Sequence, residues 1–307
     1  MKFLTWRFLQ AVLWRSAAVC VGAALCLPAR GQIFSFSREE MIEYTSQNPF
    51  DRFPDGRPKV PDSILERVKG LSVEEAWGLL RNKGYHFQSS TSFQILHPGQ
   101  KLVGRAFTAQ YLPLRPDLAA VIDRKAKEKG FPTGVNQRVI DYLQVNDVPV
   151  VDLMGAATGH NFGGDNLQAA VAGRTRTGAV IDGTIRDLDG IFDLPSQIYF
   201  KAPNPAAVSG VVLAGTNIPV HVGGAIVMPG DVVLGDREGV IFIPPQLVQQ
   251  VVDEADLTHI HDDWTKEKFL TGKYKASELY GGPLSPENQK EFDAYKKKRL
   301  EELRNKK

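Results

Sequence analysis

The stretch VPVVDLMGAATGHNFGGDNLQAAVAGRTRTGAVIDGTIRD, residues 148–187, decides the fold. An apolar run at 148–153 is followed by a helical segment of small residues at 167–175 and by a second apolar run at 178–182. Short apolar runs on either side of a helix are typical of buried parallel strands joined by a right-handed crossover. The stretch therefore predicts an α/β protein built around a strand–helix–strand unit.

The segments outside this unit predict more helices and strands. Ser72 and Glu75 have the spacing of a capping box, and Gly84 is a natural end for the helix that they begin. We expect a mixed sheet with helices rather than a purely doubly wound sheet. Strands are predicted at 101–112, 197–202, 211–213, 220–228 and 239–243, and helices at 38–46, 62–69, 119–128 and 247–260.

The N-terminal segment, residues 1–31, has the three parts of a secretory signal peptide. Lys2, Arg7 and Arg15 are positively charged, an apolar run follows, and small residues precede a predicted cut before Gln32. The apolar run has about 12 residues, whereas a membrane-spanning helix needs about 20. We therefore expect an exported product, periplasmic or secreted, that is not membrane-bound after cleavage. An uncleaved N-terminal anchor is the alternative.

The charge balance and the cysteine content both depend on this segment. The chain of 307 residues has 37 Lys and Arg against 35 Asp and Glu, and residues 1–31 contain basic residues but no acidic ones. Both cysteines, Cys20 and Cys26, lie in the same segment. The rest of the chain therefore has no disulfide framework, and a broad nucleic-acid-binding surface is not expected.

The remaining chain is predicted to have three parts. Residues 32–70 contain several proline turns and form an N-terminal extension that wraps the core or meets a neighbouring subunit. Residues 71–250 form the main domain. Residues 251–307 form a C-terminal helical extension, whose basic end we interpret as a solvated helix in preference to a docking arm for an acidic partner.

The motif Gly163-Gly164-Asp165-Asn166 lies between the predicted strand and helix of the central unit. Glycines let the backbone approach a ligand closely, and the free N–H groups at the start of a helix favour an anion. On this motif alone, the alternative interpretation is that Asp165 is a simple N-cap of the helix.

Arg186 and Asp187 follow the next predicted strand. A guanidinium can bind a carboxylate through two parallel hydrogen bonds, and an aspartate is a suitable ligand for Mg²⁺ or Mn²⁺. A plain surface ion pair is the alternative. Because ligands gather at the carboxyl ends of parallel strands, both motifs are predicted to face one crevice that binds a divalent metal and a small anionic ligand.

The spacing of these residues resembles that of a known family. Asp165, twenty further residues and then Arg186-Asp187 match the D-x20-R-D pattern of class II pyruvate aldolases. These are the 4-hydroxy-4-methyl-2-oxoglutarate / 4-carboxy-4-hydroxy-2-oxoadipate aldolases, which share a fold with the RraA-like family (regulator of ribonuclease activity A). The resemblance covers residues 71–250, and the other matching stretches are Gly104-Arg-Ala-Phe-Thr108, Gly178-Ala-Val-Ile-Asp-Gly183, Asn217-Ile-Pro-Val220, Val227-Met-Pro-Gly-Asp231 and Gly235-Asp-Arg-Glu-Gly-Val240.

The resemblance implies a β/β/α swivelling domain that assembles into homotrimers or hexamers. It also implies a metal-binding Asp187 and the catalytic residues Asp165 and Arg186. The residues that it implies as substrate contacts are Gly164, Asp165, Asn166, Leu167 and Arg186.

A further residue of the implied site comes from a neighbouring subunit. In the aldolases, a carboxylate on the C-terminal helix of the next subunit helps to complete the site. The corresponding residues here, 259–263, read HIHDD and contain no glutamate. We expect His261 or Asp262 to take this role.

The implied reaction is the cleavage of 4-hydroxy-2-oxo acids to pyruvate through an enolate, which Mg²⁺ or Mn²⁺ and Arg186 stabilise. Asp165 would hold a metal-linked water that protonates the enolate carbon. The same enolate forms when CO₂ leaves oxaloacetate, so an oxaloacetate decarboxylase side activity is expected. The alternatives are a non-catalytic, protein-binding regulator of the RraA type, and an exported enzyme or binding protein for another hydroxy or keto acid.

Three other patterns in the sequence are weaker indications of a functional site. Residues 150–159 superficially resemble an adenosylmethionine-binding loop but lack its tight Gly-x-Gly. His259 and His261 as zinc ligands would lie about 200° apart on a helix, so solvated histidines are expected there. His160 either lines the pocket or is a turn residue.

Overall fold

The structure is a computed structural model that describes residues 35–155 and 160–305. The predicted signal peptide lies outside the described residues. The strands are β1 (Ser89–Ser90), β2 (Gln94–Ile95), β3 (Leu102–Pro113), β4 (Asp147–Asp152), β5 (Ala179–Ile185), β6 (Ile198–Pro203), β7 (Val211–Thr216), β8 (Val220–Val222), β9 (Ala225–Val227), β10 (Val232–Gly235) and β11 (Val240–Ile243). The helices are α1 (Arg38–Tyr44), α2 (Asp62–Val68), α3 (Val73–Asn82), α4 (Pro116–Glu128), α5 (Gln137–Ile140), α6 (Asp165–Thr175), α7 (Leu188–Phe192), α8 (Pro245–Leu270), α9 (Ala276–Leu279) and α10 (Pro286–Asn305).

A nine-stranded mixed sheet forms the centre of the described part of the chain. Its order is β1-β11-β10-β3-β4-β5-β6-β2, and β7 pairs with the second half of β3. Strands β3, β4, β5 and β6 are parallel to one another, and the other pairs are antiparallel. This confirms the predicted α/β fold with a mixed sheet. Val150 pairs with Val180 and Asp152 with Asp182, so the loops after β4 and β5 leave from the same edge of the sheet.

The two faces of the sheet are covered by different elements. Residues on one face pack against α2, α3 and α8 at one end of the sheet, and against α5, α6 and α7 at the other. The opposite face packs against the small hairpin of β8 and β9. Because side chains alternate along a strand, Val151 faces the helices and Val150 faces the hairpin.

The sequence predicts β structure at 220–228 with a tight turn at Gly223-Gly224, and the structure has two strands there, β8 and β9. Gly223 and Gly224 both have positive φ, 59° and 94°, and reverse the chain. Strand β10 was not predicted, since four residues between Asp231 and Asp236 are too few to show a period.

Helix α8 is longer than the sequence indicates. It continues past residue 260 to Leu270 and is 26 residues long. The reason is tertiary: Trp264 is buried, and its ring lies 5.3 Å from that of Phe292 on α10. None of the helices in the described ranges has the length and hydropathy that a membrane crossing requires.

The N-terminal extension is anchored to the sheet by a buried ion pair. Arg57 Nη1 and Nη2 donate to Asp147 Oδ1 and Oδ2 at 2.7 and 3.1 Å, and the two side chains are 1% and 0% exposed. The guanidinium also lies 4.3 Å from the ring centroid of Phe53. Loss of one partner from such a pair typically costs about 3–5 kcal/mol, because the other charge stays buried. This part of the extension therefore packs on the core of its own chain.

A second ion pair joins α3 to α8 at a helix cap. The Ser72 N–H donates to Glu75 Oε2 at 2.7 Å as part of the predicted capping box, and His259 Nε2 lies 2.6 Å from Glu75 Oε1. Burial alone would raise the pKa of Glu75, but its hydrogen bonds with His259 and Ser72 lower it overall. The contact with Glu75 raises the pKa of His259 against an opposing effect of burial.

These two shifts predict a stabilising contribution that is confined to a pH window. The raised pKa of His259 gives stability that is lost as the pH rises through that pKa, and the lowered pKa of Glu75 gives stability that is lost as the pH falls through it. Both contributions are present between about pH 4.5 and 6.5, above the ordinary pKa of glutamate and below that of histidine. We expect His259→Asn to lower the melting temperature most in this window. An equal loss at pH 5.5 and pH 9, relative to the exposed control His86→Asn, would contradict the pairing.

Candidate functional site

Asp187 has an unusual backbone at the carboxyl end of β5. It directly precedes α7 and has φ 58° and ψ 44°, the left-handed conformation. That conformation costs a residue with a Cβ roughly 1–2 kcal/mol, and such strain is concentrated at functional sites. The side chain is 47% exposed, so burial does not explain why an aspartate is held there.

The start of α6 lies after the neighbouring strand, β4. Gly164 is the N-cap and has no side-chain capping bond, so Asp165 is the first residue of the helix rather than its cap. Asp165 Oδ1 accepts a hydrogen bond from the Asn166 N–H at 2.7 Å. The alternative interpretation of Asp165 as a simple N-cap is therefore wrong in this structure.

The two predicted motifs are in direct contact. A Cβ built on Gly164 would lie 2.0 Å from Asp187 Oδ2 and 3.1 Å from Arg186 Cγ. Only glycine at residue 164 allows the Asp187 carboxylate to rest there. The loops after β4 and β5 thus bring Gly164, Asp165, Arg186 and Asp187 into one group, as their positions at parallel strand ends predicted. The structure puts Asn166 and Leu167 on the first turn of α6 beside this group.

A chain of buried hydrogen bonds fixes the loop that contains Gly163 and Gly164 to the core. Tyr111 Oη donates to Asn136 Oδ1 at 2.9 Å, Asn136 Nδ2 donates to the Asn161 carbonyl at 3.4 Å, and the Gly163 N–H donates to Asn161 Oδ1 at 2.5 Å. Burial raises the pKa of Tyr111 far above its usual value, so the phenol stays a neutral donor. Sequence reasoning missed these residues, because isolated Tyr and Asn residues far apart in the chain carry no local signal.

Helix α7 is held at its far end by His97. Nδ1 lies 3.0 Å from the Ser196 carbonyl oxygen, and Nε2 lies 2.9 Å from that of Phe192, the last residue of α7. Helix α7 is therefore held at its start, next to Asp187, by the β5 strand and at its end by His97.

Arg186 retains capacity to bind an anion. Its Nε lies 3.3 Å from Asp187 Oδ2 but has no partner in hydrogen-bond geometry, and its side chain is 38% exposed. Isolated exposed ion pairs of this kind contribute only about 0–1 kcal/mol. The pair therefore does not lock the guanidinium, and a carboxylate ligand can compete for it.

The residues present fit an ion that keeps most of its water ligands. No group of three or more His, Cys, Asp or Glu in residues 35–155 and 160–305 could hold a metal. Asp187 offers a half-exposed carboxylate, with Asp165 on the facing helix start, and Mg²⁺ is typically bound by one or two carboxylates with several waters.

The other predicted site residues lie elsewhere. The His261 ring packs 5.3 Å from Phe292 of α10 in the same chain, and its Nδ1 lies 3.5 Å from Asp262 Oδ1. A contribution of these residues to a neighbouring subunit stays a prediction. His259 is not simply solvated, as the sequence led us to expect, but pairs with Glu75. His160 Nδ1 is buried without a hydrogen-bond partner, next to residues 156–159, which lie outside the described part.

The strain at Asp187 gives a test that does not depend on activity. We expect Asp187→Gly to raise the free energy of unfolding by about 1 kcal/mol, because glycine adopts the left-handed conformation without steric cost. Arg176→Gly, at a left-handed helix end with φ 59°, is the matched control and is expected to give a similar gain. Urea denaturation measures both. A loss of stability specific to Asp187→Gly would mean that its carboxylate is needed to hold the turn itself.

Comparison with known proteins gives one family. Residues 69–242 match the RraA-like family, described as Aldolase/RraA. The sequence is 26% identical over 182 residues to Protein DlpA of Legionella pneumophila, covering 59% of this chain and 28% of that protein. It is 29% identical over 134 residues to the "Putative 4-hydroxy-4-methyl-2-oxoglutarate aldolase" of Halalkalibacterium halodurans, covering 44% of this chain and 63% of that protein. The chain thus spans less than two thirds of the length of either relative.

The fold is also similar to a solved structure. Streptomyces coelicolor RraAS2, described as an unusual member of the RNase ES inhibitor RraA protein family, superposes with a TM-score of 0.56 and 27% sequence identity. The match covers 72% of this chain and 98% of that chain.

Proposed function

Because the chain belongs to the RraA-like family, Aldolase/RraA, we propose that it is a divalent-metal-dependent lyase. Its substrates are 4-hydroxy-2-oxo acids of the 4-hydroxy-4-methyl-2-oxoglutarate type, and its product is pyruvate. The name of the Halalkalibacterium relative supports this substrate class. The observation that carries the proposal is the contact between the two loops, in which the Asp187 carboxylate lies against Gly164 beside Asp165 and Arg186.

Each residue of this group has a chemical task in the proposed reaction. Arg186 binds the substrate carboxylate and orients the adjacent keto group. The backbone N–H groups at the start of α6 add positive potential on the same side. When the carbon–carbon bond breaks, the C4 hydroxyl gives its proton to the water beside Asp165 and becomes the carbonyl of the second product. The electron pair of the broken bond stays on the pyruvate fragment as an enolate, and Arg186 stabilises the developing charge. Asp165 holds the water that returns a proton to the enolate carbon.

A bound Mg²⁺ or Mn²⁺, with Asp187 as its protein ligand, supplies further positive charge near the keto oxygen. Loss of CO₂ from oxaloacetate leaves the same enolate, so a decarboxylase side activity is part of the proposal. In both reactions Arg186 meets the same three-carbon fragment, and only the leaving group differs.

The assembly and the location of the protein are also proposals. We infer a homotrimer or hexamer, since Arg186 and Asp187 are 38% and 47% exposed in a single chain and leave room for a neighbouring subunit. Export to the periplasm or medium is inferred from residues 1–31. Light scattering checks the assembly, and a monomer would contradict it. N-terminal sequencing checks the export, and a chain that retains Met1 in a membrane fraction would contradict it.

A non-catalytic regulator of the RraA type is the second candidate. The likeness to RraAS2, over 72% of this chain, favours it. The regulator would be supported over the lyase if the wild-type protein and Asp187→Asn both capture a ribonuclease stoichiometrically and neither turns over a keto acid.

The lyase proposal predicts metal-dependent release of pyruvate. The purified protein is incubated with Mg²⁺ or Mn²⁺ and with 4-hydroxy-4-methyl-2-oxoglutarate or oxaloacetate, and pyruvate is measured with and without EDTA. We expect EDTA to abolish turnover and Asp187→Asn to lower kcat/KM by roughly 10²–10³-fold, the range for loss of one charge-stabilising group. Asparagine tolerates the left-handed backbone, so this variant keeps the turn.

The matched control is Asp189→Asn, which removes an exposed carboxylate from the first turn of α7, two residues further along the chain. It is expected to keep wild-type activity. Pyruvate release that persists in EDTA, or equal activity of Asp187→Asn and the wild type, would rule out this mechanism.

A further inference from the structure

Gly190 lies on the exposed side of α7, where the Asp165 side chain rests against it. A Cβ built on Gly190 would lie 2.8 Å from Asp165 Oδ2, 3.0 Å from Asp165 Cβ and 3.3 Å from Asp165 Cγ. Cβ atoms essentially never approach another atom closer than 3.0 Å. A side chain at residue 190 would therefore displace either α7 or the Asp165 carboxylate.

The carboxylate is the part that can move. Helix α7 is fixed at its start by the β5 strand and at its end by the contacts of His97 with Phe192 and Ser196. The Asp165 side chain is only half-buried, and a rotation about its Cα–Cβ bond moves Oδ2 and Cγ away from the new atom. The 3.0 Å contact with Asp165 Cβ, which this rotation does not move, needs a further shift of a few tenths of an ångström. Such a rotation breaks the 2.7 Å hydrogen bond from the Asn166 N–H to Asp165 Oδ1.

The backbone gives no other reason for a glycine at this position. Gly190 is not among the residues of the described chain with positive φ, and it is exposed. Glycine inside a helix is less favourable than alanine. The three atoms nearest to an added Cβ at residue 190 all belong to Asp165.

We propose that Gly190 is a positioning residue whose missing side chain seats the Asp165 carboxylate at the start of α6. With glycine at residue 190, Asp165 Oδ2 lies against α7 while Oδ1 accepts from Asn166. Asp165 is thereby held next to the Gly164–Asp187 contact. The catalytic consequence rests on the proposed function, in which Asp165 holds the water that protonates the product; the seating itself does not.

Gly190→Ala tests the proposal, with Gly173→Ala as its matched control. Gly173 lies inside α6, and a Cβ built there meets nothing within 4 Å, so both variants gain helix propensity but only the first displaces Asp165. We expect Gly190→Ala to lower kcat roughly ten- to hundred-fold, the cost of a misplaced catalytic group. KM should stay unchanged. The melting temperature should stay unchanged or rise. Gly173→Ala should keep wild-type kcat.

A second measurement separates this inference from the proposed function. The amide resonance of Asn166 in a ¹H–¹⁵N spectrum reports the hydrogen bond to Asp165, whether or not the protein turns over a substrate. We expect this resonance to shift in Gly190→Ala and in Asp165→Ala, and to stay in place in Gly173→Ala. If the wild type releases no pyruvate but the resonance behaves in this way, the seating holds and the lyase proposal fails.

Three results would overturn the positioning role. The first is an Asn166 resonance that does not move in Gly190→Ala. The second is a moved resonance with wild-type kcat in a protein that is active. The third is a melting temperature that falls together with kcat in Gly190→Ala but not in Gly173→Ala, since that pattern belongs to a residue needed for the fold.

Discussion

The Asp187 carboxylate can rest against the start of α6 only because residue 164 has no side chain. A Cβ there would lie 2.0 Å from Asp187 Oδ2, far inside the contact distance of any two atoms. This steric constraint joins the loop after β4 to the loop after β5. With a side chain at residue 164, the Asp187 carboxylate would have to turn away from the start of α6 and from Asp165.

The rest of the structure keeps these two loops in place. The parallel register of β4 and β5 sets the distance between them, and the Tyr111–Asn136–Asn161 chain holds the glycine loop against the core. His97 holds the end of α7. These contacts are made by buried or clamped groups, so the strained backbone of Asp187 is maintained by its surroundings rather than by its own preference. The side chains of Arg186 and Asp187 remain partly open to solvent.

Local pattern was enough to predict the framework of the site. The apolar runs of β4 and β5 and the helix between them follow from spacing along the chain, and parallel strands must bring residues 163–166 and 186–187 to one edge. The left-handed backbone of Asp187 was not predicted, because aspartate adopts this conformation only occasionally and no local pattern marks the position. Nor was the role of Asn161, whose partners at 136 and 204 are distant in sequence.

The packing of the N-terminal and C-terminal extensions also depends on contacts that the sequence does not indicate. The pairing of Arg57 with Asp147 joins residues 90 positions apart, and nothing near either residue indicates it. The packing of α10 on α8 covers part of the His261 ring with Phe292. That segment was predicted from the family resemblance to face a neighbouring subunit, and the described chain alone does not test this. In each case the missing information is a contact between distant parts of the chain.

The central claim is that Gly164–Asp165 and Arg186–Asp187 form one site for a divalent metal and a keto acid. A crystal structure of the protein with Mn²⁺ and oxalate tests it most directly. Oxalate has the shape and charge of the pyruvate enolate and does not react. The account predicts anomalous density for Mn²⁺ at the Asp187 carboxylate and an oxalate carboxylate paired with the Arg186 guanidinium. Mn²⁺ bound at other acidic residues, or oxalate away from Arg186, would contradict it.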